Sequence, residues 1–478
     1  MKKKNLMLPG NPRYQPKSLQ PIFGYDNLFS PVGEVEIATM QTLGEIGIIA
    51  KKDIALLTPE VIKNLLRITT TEVEEIERSV TKHDIRAWVR NAQEIAPSPL
   101  KKWIHVPLTS YDALDTARSL QFFRAYNQVL KPLIRETMRI FIELTRKLAG
   151  EVQIGRTHGQ HALPITVGFW FATILNRICY NTEKLEQHAR ELAGKISGAV
   201  GAHNAQYGLG IEERCGETTF EERVLAKLNL KPAPISTQIL PPEPLAYFLH
   251  SCIMLSAVLA QFGRDGRNFM RSEIAELAEG FEDHQVGSSS MAHKRNPLNF
   301  ENIEGMWFRT KNEFGKVLDT LLSEHQRDLV GSSVARDFPI IVVNLTCQLE
   351  TLLRKDKNGV PFLSRISIDQ DACRRNFNKS ASLILAEPIY IALQMAGYEH
   401  DAHELVNRLG VPLAKKAHIP LIVAIGKIAE ENTEVKTALG NIPSEIYALF
   451  RNPSHYTGNA REKALEIAAI AETYITKP

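Results

Sequence analysis

Long segments with apolar residues at helical spacing constrain the fold of this chain more than any other feature. From Leu245 to about Ala278 the apolar side chains cover nearly every face, most densely through Ile253–Leu259. A helix that is apolar all round must be buried, so it belongs at the centre of a bundle. The segments 118–149, 165–195 and 298–322 also repeat apolar residues every three or four positions.

Few segments alternate polar and apolar residues as a half-buried strand does, so the pattern predicts an all-α protein. Helices this long exceed the globular mean of about 11–12 residues and are typical of antiparallel bundles or oligomeric cores. We divide the chain into three regions. They are an N-terminal helical cap domain (1–110), a central long-helix bundle domain (111–372) and a C-terminal helical domain (373–478).

Charge and cysteine usage restrict the partners and the compartment. The net charge of +3 is small for 478 residues, and no basic block or aromatic-basic stripe occurs, so we expect neither a nucleic-acid nor a membrane partner. No apolar run of signal-peptide length follows Lys2–Lys4. The five cysteines are scattered without a C-x-x-C pair, which indicates free thiols in a reducing cytoplasm.

The segment 287–297, G-S-S-S-M-A-H-K-R-N-P, carries the densest set of chemically useful side chains. Gly287 and the serines favour no helix, and Pro297 suits the first turn of a following helix. A Ser/Gly run alone is more often a solvated linker. Here it lies between long apolar-periodic segments, and a polar loop on a rigid scaffold is a common place for function.

This segment resembles the G-S-S-x-M-x-x-K-x-N-P loop of the fumarase/aspartase superfamily, whose members eliminate fumarate from succinyl compounds. Ala292 stands where proline is frequent in those proteins. The resemblance implies that Ser288 is the general base. It also implies substrate contacts by Ser289, Lys294 and Asn296.

A histidine lies beside a glycine in Gly155–Gln160, ahead of a helix that we expect Pro164 to introduce. A lone histidine is more often structural than catalytic, although its side chain titrates near neutrality. The stretch resembles the R-T-H-G-Q motif of the same superfamily, which implies that His158 is the general acid and Thr157 a substrate contact. His158 and His161 form an H-x-x-H pair, but no third ligand nearby suggests a metal site.

Further matches resemble the adenylosuccinate lyase family within this superfamily. Thr81–Asp84 is similar to its H-D segment, and 105–112 is similar to its H-x-x-L-T-S-x-D run. Alternatively, the first is a charged helix interior, and Ser110 or Asp112 caps the helix that follows. The resemblance implies substrate contacts by Lys82, His83, Asp84, His105, Thr109 and Ser110.

Another group of matches points to a nucleotide. Two arginines with intervening hydroxyls suit a phosphate, because guanidinium groups pair with it bidentately. Generic nucleotide motifs are missing, since Gly194-Lys195 lacks the rest of a P-loop. The chain end, 453–460, resembles the closing P-x-x-Y-T-G-x-A of the family. The nucleotide contacts implied by the resemblance are Arg13, Tyr14, Gln238, Asn302, Arg327, Ser332, Ser333 and Arg336.

The family resemblance implies a lyase that releases fumarate from adenylosuccinate, and from the related succinyl-carboxamide ribotide, with no metal or organic cofactor. It also implies a homotetramer whose active sites are shared between subunits. Two alternatives stay open: a sister lyase such as argininosuccinate lyase, fumarase or aspartase, or a catalytically silent helical scaffold.

Overall fold

The computed structural model of the chain describes residues 4–280, 290–291 and 293–476. It is predominantly helical, as predicted, and it divides into two compact units. The first unit comprises Met1–Arg135, Tyr180–Ala260 and Asn302–Leu352, and the second comprises Glu136–Cys179, Gln261–Glu301 and Leu353–Pro478. The three regions 1–110, 111–372 and 373–478 stay a prediction.

The long helices occur where the apolar periodicity predicts them. They are Lys131–Lys147, Val167–Arg190, Glu243–Phe269 and Leu298–Asp319. A further helix, Pro339–Leu353, lies outside the predicted segments. The prediction of a helix to Ala278 is wrong, because the helix ends at Phe269. The polar run Arg271–Glu273 interrupts the apolar pattern, and Ala275 has a left-handed backbone (φ 51°). Leu277–Ala278 is instead a short strand.

The first unit has an apolar core in which the helices Ser30–Glu45 and Ser110–Arg124 pack together, and the fully buried Trp88 belongs to the same core. A π-helical segment, Ala125–Leu130, joins Ser110–Arg124 to the long helix that starts at Lys131. The shorter α-helices of this unit are Gln20–Phe23, Lys51–Ile54, Pro59–Leu65, Thr70–Ile76, Asp84–Ile95, Ser98–Lys101, Asn204–Gly208, Phe220–Lys227 and Val330–Val334. Its other helical turns are Lys17–Leu19, Tyr25–Asn27, Glu77–Thr81, Glu212–Arg214 and Ala335–Asp337.

The second unit contains a cluster of buried rings in edge-to-face and stacked contact, formed by Phe141, Trp170, Phe171, Phe262 and Phe300. A separate apolar cluster holds the C-terminal helices together. The shorter α-helices are Gln370–Asn378, Ala386–Met395, Ala402–Leu405, Val411–Ala417, Leu421–Glu431, Thr433–Asn441 and Ser444–Arg451, followed by Ala460–Thr476. Leu363–Arg365, Val406–Gly410 and Pro453–His455 are further helical turns.

Within the described residues, three small two-stranded sheets interrupt the helices. The largest is an antiparallel hairpin of Val152–Thr157 and Gln160–Thr166 in the second unit. Pro164 therefore lies in a strand opposite Ile154, and the following helix begins only at Val167, which corrects the expected role of Pro164. Proline is tolerated there because each strand of a two-stranded ribbon has a free edge. The other pairs are Ala193–Gly194 with Lys231–Pro232 and Leu277–Ala278 with Ser367–Ile368.

The helix Glu243–Phe269 is long and apolar enough to cross a bilayer, but 67% of its apolar 18-residue window is buried inside the protein. Its apolar composition is thus mostly explained by packing within the chain. All five cysteines are free, and four of them are buried. The prediction of unpaired thiols is confirmed.

Candidate active site

In the first unit, Arg327 lies at the centre of a polar cluster. Its guanidinium carbon is 3.3 Å from the ring centroid of Tyr111, and its Nη1 donates to Gln238 Oε1 at 3.0 Å. The hydroxyl groups of Tyr111 and Ser332 are 3.1 Å apart. Three of the predicted nucleotide contacts, Gln238, Arg327 and Ser332, are therefore brought together around one aromatic ring that the sequence did not single out.

The cluster borders a cavity of about 360 Å³ whose walls include Tyr111, Arg327 and Ser332. Asp115, one helical turn after Tyr111, lies in the same wall. It accepts the Leu240 backbone N–H at 2.9 Å, which anchors the segment that follows Gln238. Burial raises the pKa of the Asp115 carboxyl, and Arg118 partly opposes this effect.

The second predicted phosphate ligand, Arg336, has a largely exposed side chain and a carboxylate partner. Its Nη2 is 3.5 Å from Asp84 Oδ2, while Asp84 Oδ1 is 3.3 Å from His83 Nδ1. Asp84 is the first residue of the helix Asp84–Ile95 and His83 is its N-cap, so neither is a helix-interior charge. A phosphate at Arg336 would replace or join this half-buried carboxylate.

Other predicted contacts in the first unit have neighbours of their own. The ring of Tyr14 faces the guanidinium of Arg309 at 4.6 Å, whereas Arg13 is exposed. The ammonium group of Lys82 donates to the Arg78 carbonyl at the end of a π-helical turn. Ser333 lies on the surface. Asn302 lies beside Thr351, whose hydroxyl donates to its side-chain oxygen.

His105 is held by a buried carboxylate. Glu36, only 1% exposed, accepts the His105 backbone N–H at 2.8 Å, and its other oxygen is 2.7 Å from His105 Nδ1. The His105 backbone is left-handed (φ 69°), which is unusual for a side chain of this size. Glu36 thus fixes both the backbone and the imidazole of a predicted substrate contact, and no sequence motif indicated it.

Thr109 is the N-cap of the helix that begins at Ser110, so neither Ser110 nor Asp112 is the N-cap residue. Asp112 still contributes to the cap, because its side chain accepts the Thr109 N–H at 2.8 Å and completes a capping box. The Asp112 carboxylate also forms a fully buried ion pair with Lys195 and accepts the Ser197 N–H at 3.1 Å. The Ser197 hydroxyl is in turn 2.6 Å from the Ser236 hydroxyl. Asp112 is therefore connected, through Ser197 and Ser236, to the segment that contains Gln238.

In the second unit, His158 occupies the exposed two-residue turn of the hairpin. His158 and Gly159 both have left-handed backbones (φ 53° and 75°), and Thr157 pairs with Gln160 across the ribbon. Positive φ at both positions is typical of the tight turns that suit the twist of a hairpin. An imidazole in such a turn is accessible to a substrate.

Both strands of this hairpin are anchored just behind the turn. Arg156 donates to Glu276 through Nη1 (2.9 Å) and Nη2 (2.6 Å). On the other strand, His161 Nδ1 is 2.7 Å from the Ser380 hydroxyl. Burial lowers the pKa of the His161 imidazole, and the positive charge of Arg156 lowers it further.

The predicted loop contacts are only partly described. Ser288 and Ser289 lie outside the described residues. The backbone N–H of Lys294 donates to the Met291 carbonyl at 3.0 Å, and Lys294 is exposed. The Asn296 carbonyl accepts the Leu298 N–H at 2.9 Å.

Glu279, a buried carboxylate, caps the helix that follows these residues. It accepts the backbone N–H groups of Asn299 and Phe300 at 2.9 Å each. Burial raises the pKa of Glu279, and these donors partly compensate. The start of the helix after the loop is therefore fixed by a residue that precedes the loop.

The chain matches a protein-family model described as lyase over residues 51–310. It is 31% identical over 467 residues to adenylosuccinate lyase of Pyrococcus horikoshii, covering 96% of this chain and 97% of that protein. Adenylosuccinate lyase of Bacillus subtilis is also 31% identical, over 83% of this chain and 86% of the relative.

Solved structures have the same fold at lower sequence identity. The 3-carboxy-cis,cis-muconate lactonizing enzyme of Pseudomonas putida has a TM-score of 0.79 at 20% identity and covers 96% of this chain and 98% of its own. A fumarate lyase of Mesorhizobium sp. BNC1 has a TM-score of 0.75 at 21% identity and covers 94% and 97%.

Proposed function

We infer that this chain, which belongs to the adenylosuccinate lyase family, breaks the C–N bond of adenylosuccinate and releases fumarate and AMP. The observation that carries this inference is the end-to-end similarity to adenylosuccinate lyases from archaea and bacteria. The same chemistry extends to the succinyl-carboxamide ribotide of purine synthesis, which carries the same succinyl-amine group on a ribotide.

The polar cluster of the first unit supports a nucleotide substrate. Arg327 is held by Tyr111 and Gln238, and Ser332 supplies a hydroxyl group beside them. Arg336 adds a second, mostly exposed guanidinium. Two guanidinium groups and a hydroxyl group match the charge and the acceptor oxygens of a nucleotide phosphate, so we propose that they bind it.

For the elimination itself, we propose that Ser288 removes the proton on the carbon next to the succinyl carboxylate. The electron pair of the C–H bond forms the C=C bond of fumarate, and the C–N bond breaks towards the purine nitrogen. His158 gives that nitrogen its proton. The intermediate carries a doubly negative, aci-carboxylate-like group, and Lys294 and Asn296 are suitable fixed donors for it.

Serine is a weak base unless its alkoxide is stabilised by cationic or backbone N–H donors. The neighbouring Lys294 is one such cation in the sequence. No step of this scheme requires a metal or an organic cofactor.

We propose that the protein acts as a homotetramer in the cytoplasm, with active sites shared between subunits. Several large apolar side chains on the long helices of the first unit are exposed. They include Tyr180 (62%), Tyr247 (55%), Met254 (45%) and Phe308 (42%). Exposed rings and methionine on rigid helices are typical of an interface between subunits.

Fumarate absorbance tests the substrate assignment. The purified protein is mixed separately with adenylosuccinate, argininosuccinate, malate and aspartate, and fumarate release is followed. We expect rapid release from adenylosuccinate alone. Release from another compound instead would identify a sister lyase, and no release from any of them would support the silent scaffold.

Two inactive variants test the proposed acid and base. Ser288→Ala and His158→Ala should each bind adenylosuccinate and lose at least about 10²-fold in turnover, the usual contribution of a general acid or base. If the residues of one site come from different subunits, mixing the variants and allowing subunit exchange should restore some activity. Near-normal turnover by Ser288→Ala alone would refute the proposed base.

A further inference from the structure

We propose that Glu276 is a positioning residue for the elimination, which holds the His158 turn where the imidazole can protonate the departing nitrogen. The inference rests on the proposed acid role of His158. Glu276 is 1% exposed, so it acts through its neighbours and does not touch the substrate.

The Glu276 carboxylate is used completely by side chains that hold the hairpin. Besides the two bonds from Arg156, it accepts Gln153 Nε2 at 2.8 Å and Asn376 Nδ2 at 2.9 Å. Arg156 and Gln153 lie on the strand that leads into His158. Because a bidentate guanidinium–carboxylate pair fixes direction as well as distance, it sets where this strand ends.

The location of the Arg156–Glu276 ion pair, close to the His158 turn, supports a positioning role. Arg156 is paired across the ribbon with His161, and only the Thr157–Gln160 pair separates them from the turn. Glu276 holds one member of this cross-strand pair, and Ser380 contacts the other. The His158 backbone itself is left-handed, a conformation that persists in a non-glycine residue when the surroundings enforce it.

Glu276 receives further support from the backbone around it. Its N–H donates to the Phe269 carbonyl at 3.1 Å, and its own carbonyl accepts the Asp369 N–H at 3.0 Å. Asn376 also donates to the Ile274 carbonyl at 2.7 Å. The carboxylate is therefore a fixed point of the second unit, against which the hairpin is oriented.

The test combines Glu276→Gln with His158→Ala in the full-length enzyme. Glu276→Gln keeps the size of the side chain and removes the charge that pairs with Arg156. A displacement of about 1 Å at a reacting group costs up to about 10²-fold, so we expect kcat to fall about 10- to 100-fold. KM for adenylosuccinate should stay within about twofold, because Thr157 is the one proposed substrate contact on this hairpin and the others lie elsewhere in the chain.

The double variant distinguishes positioning from general destabilisation. If Glu276 acts through His158, adding Glu276→Gln to His158→Ala should lower kcat no further. Unchanged kcat in Glu276→Gln, or losses that multiply in the double variant, would overturn the proposal. Near-normal turnover by His158→Ala would instead refute the acid role itself.

Two further variants keep the result interpretable. Asp265 is another largely buried carboxylate of the second unit and accepts Trp170 Nε1 at 3.0 Å. Asp265→Asn should lower Tm without lowering kcat, and an equal loss of kcat there would count against a specific role for Glu276. If Glu276→Gln does not fold, Arg156→Lys, which keeps the charge but not the bidentate geometry, is judged by the same criteria.

Discussion

The buried ion pair between Lys195 and Asp112 should respond sharply to the loss of its cation. Both side chains are 0% exposed. In Lys195→Met the Asp112 carboxylate would stay buried without a counter-ion. It would keep hydrogen bonds from the backbone N–H groups of Thr109, Ser197 and Gly198, at 2.8–3.2 Å.

The expected loss of folding stability in Lys195→Met follows from the separation and the burial of the two charges. Two unit charges about 3 Å apart attract by about 5.5 kcal/mol at an effective dielectric constant of about 20. Removing one member of a buried pair costs about 3–5 kcal/mol. Three backbone donors remain on Asp112, so we expect the lower end, about 3 kcal/mol, for Lys195→Met.

Hydrogen exchange at the Ser197 and Gly198 amides measures this loss locally, because both donate to Asp112. A change of about 3 kcal/mol corresponds to exchange about 10²-fold faster. Adding Asp112→Asn to Lys195→Met should recover part of the lost stability, since a neutral amide oxygen still accepts hydrogen bonds from the backbone N–H groups.

A surface pair provides the control. Lys227 Nζ is 2.5 Å from Glu45 Oε1, and both side chains are partly exposed. Lys227→Met should cost at most about 1 kcal/mol. The reasoning would be refuted if these amides exchanged less than about fivefold faster in Lys195→Met than in the parent protein. It would also be refuted if the double variant were less stable than Lys195→Met alone.

Three further outcomes are expected. Arg336→Ala should weaken AMP binding about tenfold or more in calorimetry with unchanged circular dichroism, because a charged hydrogen bond is worth about 1.5–3 kcal/mol. Met254→Glu should dissociate the oligomer in light scattering, whereas Ile470→Glu, at a similar exposure (43% against 45%), should not. Burial lowers the folded-state pKa of His161, so the unfolded chain binds more protons just below pH ~6.5. Tm should therefore fall as the pH drops below about 6.5, and less steeply in His161→Gln; equal slopes would contradict the assignment.

Much of the helical architecture could be predicted from local periodicity. The helices Val167–Arg190 and Leu298–Asp319 lie within or close to the predicted segments, because 3.6-residue spacing is a property of the backbone itself. The hairpin at 152–166 was missed. Its strands of six and seven residues have no regular polar–apolar alternation, and their pairing depends on contact with each other.

The sequence by itself determined the helical class, the free cysteines and the motif residues that indicate a fumarate-releasing lyase. Only the tertiary structure decided which side chains meet: Arg327 with Tyr111, Lys195 with Asp112 and Glu276 with Arg156. These partners lie 83 to 216 residues apart along the chain. A local pattern reports the conformation of its own segment, whereas contacts between distant segments arise when buried surfaces pack and polar groups inside them require partners.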